Sequence, residues 1–221
     1  MRLVLSIIVL MLFYSCIPGH KSRSNQDSNI LKNIKRVSVD FEKSSEMLDE
    51  NKYWTIIEKS FLSSSDYNIQ RTKLLKELTQ LNPKEIIGFD LRTTKLLKDS
   101  YISEMWCAAY IMKGGCSDDA FEYFRCWLIS KGKDIYYKAS KNPDALSEIE
   151  KKLFFDYELE PFLYMPNEAF MLKTGKEIYD YRDMETFLKV EGYYPQIEFN
   201  WQEDNPSSMK KICPKLFQKH W

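Results

Sequence analysis

Histidine is scarce in this 221-residue chain: two occur, His20 and His220, one near each end. A Ser-His-Asp or Cys-His arrangement inside the folded domain is therefore not expected. Glycine (7) and proline (8) are also sparse. That argues against a loop-rich β architecture and against extended disorder. There is no HExxH, no CxxC, no phosphate-binding glycine loop and no dinucleotide fingerprint. The spacings of Cys107, Cys116 and Cys126 do not match a zinc site. No metal and no cofactor is expected. Net charge is lacking too, with 32 basic and 32 acidic residues. A balanced chain has no global field to draw in a polyanion, so nucleic acid is not an expected partner. The charges are interspersed, as on solvated helix faces.

What is present is core material. Hydrophobic residues make up 44% and aromatics 14%, enough to pack one domain of ordinary size plus a tail.

Residues 1–15, MRLVLSIIVLMLFYS, open with the positive Arg2 and continue as an apolar run from Leu3 to Tyr14 broken only by Ser6. A helix of that length spans about 18 Å, short of the ~30 Å hydrocarbon core. This is the length of a signal peptide; an uncleaved anchor helix is the alternative. The run ends at Ser15-Cys16, a small residue before a cysteine, which resembles the lipobox of bacterial lipoproteins. The resemblance implies a diacylglycerol on the Cys16 thiol and Cys16 as the new N-terminus. Two or more acyl chains anchor a protein stably. The expected organisation is a lipoprotein signal peptide over 1–15, lipidated Cys16 with a tether and lead-in over 16–48, and a helical domain over 49–221. The expected location is the cell envelope, with the membrane as a partner through the lipid. Residues 17–29 are polar and small, as in a tether. Residues 30–48 suit either a helix or an extended lead-in. Export leaves open whether Cys107, Cys116, Cys126 and Cys213 pair. Cys107 and Cys126 sit within apolar helical patterns, where buried free thiols are common.

The domain reads as all-α or α-dominated. Asp49 is placed to cap a helix to about Ser63, with Tyr53, Trp54, Ile57 and Phe61 on one face. Three serines, 63–65, break it. A second helix carries Leu74, Leu75, Leu78 and Leu81. Asn82-Pro83 restarts the chain with a cap and a first-turn proline. The helix opening at Ser103 is apolar nearly all round, which predicts a central position. Gly114-Gly115 ends it, and Ser117 caps the next helix, with Asp118 and Asp119 in its first turn. Gly132 closes that helix. Asn142-Pro143 begins a short one, and 153–165 is aromatic and partly irregular. Asn167–Lys173 is helical up to Gly175. Residues 190–205 read as a loop with a short strand at Ile197–Trp201. The end is basic and amphipathic, broken at Pro214; its Lys210, Lys211, Lys215 and Lys219 fit a solvated terminal helix better than a lipid-binding patch. The recurring aromatics Trp54, Trp106, Trp127, Tyr110, Phe121 and Phe124 fit core better than a ligand groove.

The block from Trp106 to Gly132, WCAAYIMKGGCSDDAFEYFRCWLISKG, resembles the signature of a bacterial family, number 4240 of the domains of unknown function. Tyr53-Trp54 with Ile57, the segment Lys173-Thr174-Gly175-Lys176-Glu177 and Pro214-Lys215-Leu216 agree in order. The resemblance runs from 49 to 221. It implies a helical domain and no particular activity. A lipoprotein leader is a departure from the usual members.

Chemistry, if present, centres on Gly114–Asp119. Cys116 precedes a helix N-terminus, where a thiolate is favoured. The plainer account is a C-cap, a turn and an N-cap, since adjacent acids on a helix point about 100° apart. Asp118, Glu122 and Arg125 share one helical face, as a polar pocket or a surface ion-pair row. The leading expectation is a non-enzymatic binding module at the envelope with a protein partner, an immunity-type protein being one form. The alternative is a hydrolytic or metal-assisted enzyme using Cys116, Ser117, Asp118 and Asp119 with Glu122 and Arg125. A purely structural envelope protein would instead form a stable oligomer.

Overall fold

A computed structural model describes residues 34–62, 64–151 and 154–221. The signal segment, Cys16, the tether and Ser63 lie outside the described residues. Asp49 accepts a hydrogen bond from the Lys52 amide at 2.9 Å and starts α1 (Glu50–Ile57). The expected helix then continues as a π-helical turn, Glu58–Leu62. The Ser60 hydroxyl donates back to the Ile56 carbonyl there. The chain bends at Ser65, and Asp66 caps α2 (Tyr67–Gln80) through the Ile69 amide at 3.0 Å. Leu74, Leu75 and Leu78 form its buried stripe. Asn82 and Glu85 then make a reciprocal capping box, both bonds 3.0 Å, at the start of α3 (Pro83–Asp99). Such a box satisfies two donors the helix cannot satisfy itself.

Residues 34–48 take the extended alternative, outside any helix. They lie across the helices, with Val37 bonded to Lys173, Ser44 to Tyr181 and Leu48 to Gly88. A Cβ at residue 88 would stand 2.7 Å from the Leu48 nitrogen. Glycine there is what lets the strap touch α3. Arg92 clamps the Leu48 carbonyl with Nε and Nη2, at 3.0 and 2.8 Å.

The central helix is α4 (Ser103–Lys113), as its all-round apolarity predicted: Met105, Cys107, Ala108, Ala109, Ile111 and Met112 are all buried. Gly114, at φ 69, ends it. Next come α5 (Asp118–Ile129) and α6 (Lys133–Lys141). The sequence reading passed over α6, because it buries only Tyr136 and Ala139 and shows no long stripe. Asn142-Pro143 does start a turn, but of 3₁₀ type (Pro143–Glu148) and without a side-chain cap. After 3₁₀ turns at Phe154–Tyr157 and Glu160–Tyr164, α7 (Met165–Thr174) runs to Gly175, which has φ 75. Helix α8 (Met184–Glu191), capped by Asp183, was also missed.

The expected strand at Ile197–Trp201 is absent: among the described residues there are two isolated bridges, Ser44 with Arg182 and Gln202 with Asn205. A strand needs a neighbouring backbone. This segment instead bonds to the N-terminus of α4, where the Trp201 indole donates to the Ser103 carbonyl at 2.9 Å. The chain closes with α9 (Pro206–Ile212) and α10 (Pro214–His220), split at Pro214 as expected.

Helices α2 and α3 pack on α7, while α4 meets α5, α9, α10 and the 3₁₀ turns. Tyr53 and Trp54, both buried, join the two regions. Tyr53 bonds Thr93 at 3.0 Å and packs tilted against Phe89 at 4.5 Å, and Trp54 reaches Tyr136 at 5.4 Å. Among the described residues no helix is long and apolar enough to cross a membrane.

Candidate functional site

The Gly114–Asp119 loop is built from caps. Gly114 and Gly115 both have positive φ, 69° and 139°, and both amides donate to the Tyr110 carbonyl. The Ser117 hydroxyl accepts from the Ala120 amide and starts α5. Asp118 and Asp119 are exposed beside the positive end of that helix. Cys116 is half-buried. Its carbonyl accepts from the Trp106 indole at 3.3 Å, and its thiol rests on the Ser117 carbonyl. Burial pushes this thiol up to about 12; Lys113 and Arg125 pull it down, while Glu158 and Glu203 push it further up. A nucleophilic thiol needs the opposite shift. Among the described residues no group of three or more His, Cys, Asp or Glu is placed to hold a metal ion.

Asp118, Glu122 and Arg125 lie along one side of α5 but do not form the expected ion-pair row, because Arg125 pairs with backbone carbonyls and rings instead. Asp118 is exposed and Glu122 half-buried, but Arg125 turns inward and is 3% exposed. Its Nη1 donates to the Leu97 carbonyl at 2.5 Å and its Nε to the Phe121 carbonyl at 3.2 Å. The guanidinium also lies over the rings of Phe121, Tyr101 and Tyr194, at 4.6, 5.0 and 5.8 Å. Leu97 is in the last turn of α3, whose free carbonyls carry partial negative charge. The Tyr136 and Ser100 hydroxyls bond the adjacent Leu96 carbonyl at 2.6 and 2.8 Å. Arg125 thus helps plug a buried helix terminus. Its charge is balanced by carbonyls and ring faces rather than by an acid on α5.

Three surface clefts, of about 350, 390 and 560 Å³, are lined by other residues than Cys116, Asp118, Asp119, Glu122 and Arg125. The loop and the arginine therefore do not converge on any of these hollows.

A row of aromatic rings beside the loop runs through the buried Trp106 and Trp201 and surfaces at Tyr194, Phe199 and Trp221. Tyr194 meets Tyr101 at 5.1 Å, Tyr101 meets Trp106 at 5.8 Å, and Trp106 meets Phe199 at 5.3 Å. From Phe199 the row continues through Trp201 at 5.8 Å and Tyr110 at 5.4 Å to Trp221 at 6.1 Å. Tyr194, Phe199 and Trp221 stay exposed at 43%, 52% and 52%, with Tyr193 beside them at 71%. Of the six aromatics assigned to the core, five are buried; Tyr110 is half-buried and belongs to this row. The segment carrying Phe199 is held firmly. Asn200 bonds Ser103 at 2.8 Å and Glu104 at 2.7 Å. An exposed ring held this way, as Phe199 is, loses little freedom when a partner covers it. Sequence reasoning missed Tyr101, Tyr194, Phe199 and Trp221. For Tyr194 and Phe199 the available signal was the density of aromatics in a segment punctuated by Gly192 and Pro195.

His220, terminal in sequence, packs into the domain with its ring 6.0 Å from that of Tyr157. Among the described residues neither ring nitrogen has a hydrogen-bond partner. Burial, with Lys151 and Lys219 nearby, pushes it down to about 4.

Residues 48–171 match the family described as "Protein of unknown function (DUF4240)". The match takes in more than half of the chain, which belongs to that family. It includes Tyr53-Trp54 and the whole Trp106–Gly132 block, while Lys173–Glu177 and Pro214–Leu216 lie beyond the matched residues. No curated protein and no solved structure matches the chain.

Proposed function

We propose that this chain is a cell-envelope lipoprotein, anchored by lipid on Cys16, whose helical domain is a non-enzymatic binding module for a protein partner. The observation that carries the binding role is the set of exposed rings, Tyr194, Phe199 and Trp221, with the Phe199 segment tied to the start of α4 through Asn200. Rings of this kind supply large contact area at low entropic cost and dominate the centres of protein interfaces. The anchor rests on the short apolar run ending at Ser15-Cys16. An immunity-type protein that neutralises a toxin is one form such a module takes. The enzyme alternative loses its main support, because the Cys116 thiol is shifted away from ionisation and the loop acids serve as helix-end charges.

Photo-crosslinking in cells tests the binding role. A photoreactive residue at position 199 or 221 of the full chain should yield one discrete crosslinked protein, absent with the same probe at Lys141. Identical product patterns from all three positions would overturn the assignment. A palmitate analogue should label the wild type and not Cys16→Ser; equal labelling would remove the anchor.

A further inference from the structure

Cys107, in the middle of α4, and Cys213, at the junction of α9 and α10, are both fully buried and unbonded. Each sulfur rests against the turn that carries the other. The Cys107 Sγ lies 3.9 Å from the Met209 carbonyl, one turn before Cys213, and the Cys213 amide donates to that same carbonyl at 2.9 Å. In return the Cys213 Sγ lies 4.0 Å from the Glu104 carbonyl, one turn before Cys107. This reciprocal contact brings the two thiols close to one another. Cys116 differs, because its thiol faces the carbonyl of its own neighbour, Ser117.

We propose that Cys107 and Cys213 are a dithiol pair that closes to a disulfide, stapling α9 and α10 onto α4. The chemistry is thiol–disulfide exchange with a disulfide donor. One protein thiol loses its proton and its sulfur attacks the donor, breaking the donor S–S bond and expelling one donor thiolate. The second protein thiolate attacks the mixed disulfide, forms the Cys107–Cys213 bond and expels the other donor thiolate. Two protein thiols are oxidised and one donor disulfide is reduced to two thiols, which take up the two protons.

Burial slows the first attack, since it disfavours the thiolate. Access comes from the short terminal helices: α9 and α10 have seven residues each. Helices of that length fray at low cost when their packing loosens. The bond would close a loop of about 100 residues, in the range where a crosslink restricts the unfolded chain most. It would also fix the base of the aromatic row, whose Trp221 follows α10 directly.

The full chain, purified in detergent under reductant and moved into glutathione disulfide, tests this directly. Non-reducing peptide mapping should recover residues 107 and 213 in one crosslinked peptide. Two free thiols, counted after unfolding, should disappear, at a rate that rises in mild urea. The unfolding midpoint should rise by about 5–10 °C on closure. Cys213→Ala should keep all its remaining thiols, and mapping of the wild type needs no variant to fold. Persistence of all thiols, a crosslink between other cysteines, or closure that lowers the midpoint would overturn the proposal. Because the donor is supplied in vitro, these outcomes do not depend on where the protein resides. A reduced pair in cells combined with closure in vitro would count against the envelope location and leave the pair standing.

Discussion

The guanidinium of Arg125 reaches 2.5 Å from the Leu97 carbonyl, so a charge on α5 closes the buried end of α3. Its other supports are the Phe121 carbonyl and three ring faces. Arg125→Met should therefore destabilise the fold by roughly 2–4 kcal/mol, because carbonyls at a helix end lose a charged donor in the dry interior. Arg125→Lys should recover less than half of that, since an ammonium cannot reproduce the planar fork or the ring stacking. Urea unfolding of the three proteins measures both differences.

Cys116 should behave as an inert thiol. With its ionisation pushed up to about 12, alkylation of the native, reduced protein at pH 8 should be at least tenfold slower than that of the unfolded chain. It should speed up only at strongly alkaline pH. Thiol alkylation followed against pH, with Cys116→Ser as the blank, reports this. Rapid reaction at neutral pH would restore the enzyme alternative.

Asp144 is 7% exposed and caps α10 from about seventy positions away. One carboxylate oxygen accepts from the Leu216 amide at 2.9 Å, the other from the Lys215 amide at 3.2 Å. Asp144→Ala should cost about 1–2 kcal/mol, the usual loss for a removed N-cap. Amide exchange should accelerate first in 214–220, and that regional pattern separates a lost cap from general destabilisation.

His220 makes stability depend on pH with a definite sign. Its folded value, about 4, lies below the unfolded value of 6.5, so between those limits the unfolded chain binds the extra proton. The contribution is complete above the unfolded value and is lost as pH falls from 6.5 through 4. The residue is partly exposed, which limits the loss to about 1–2 kcal/mol. Urea midpoints measured from pH 7 to pH 4 should fall for the wild type and fall less for His220→Phe.

Most of the helical order was legible because its causes are local. Asp49, Asn82 with Glu85, and Ser117 each bond within three residues of their own position. Gly114 and Gly175 end helices through backbone angles that L side chains rarely adopt. The missed helices, α6 and α8, bury too few residues to show a stripe: Tyr136 and Ala139 in one, Phe187 in the other.

The candidate sites divide along the same line. Ser117, Asp118 and Asp119 could be read as a cap from their order along the chain alone, and so they are. Arg125 could not be placed that way, because helical periodicity states which face a residue occupies but not what lies opposite. The neighbour that claimed Arg125 was the end of α3, about thirty positions earlier. Likewise the Cys107–Cys213 contact, the Asp144 cap and the row from Tyr194 to Trp221 join segments far apart in the chain. The sequence by itself determined helix class, most helix ends and the buried centre, through periodicity and caps acting over three or four residues. Tertiary packing alone decided which charge went inside, which thiols met and which rings stayed in water, because those outcomes depend on surfaces that exist only once the helices have come together.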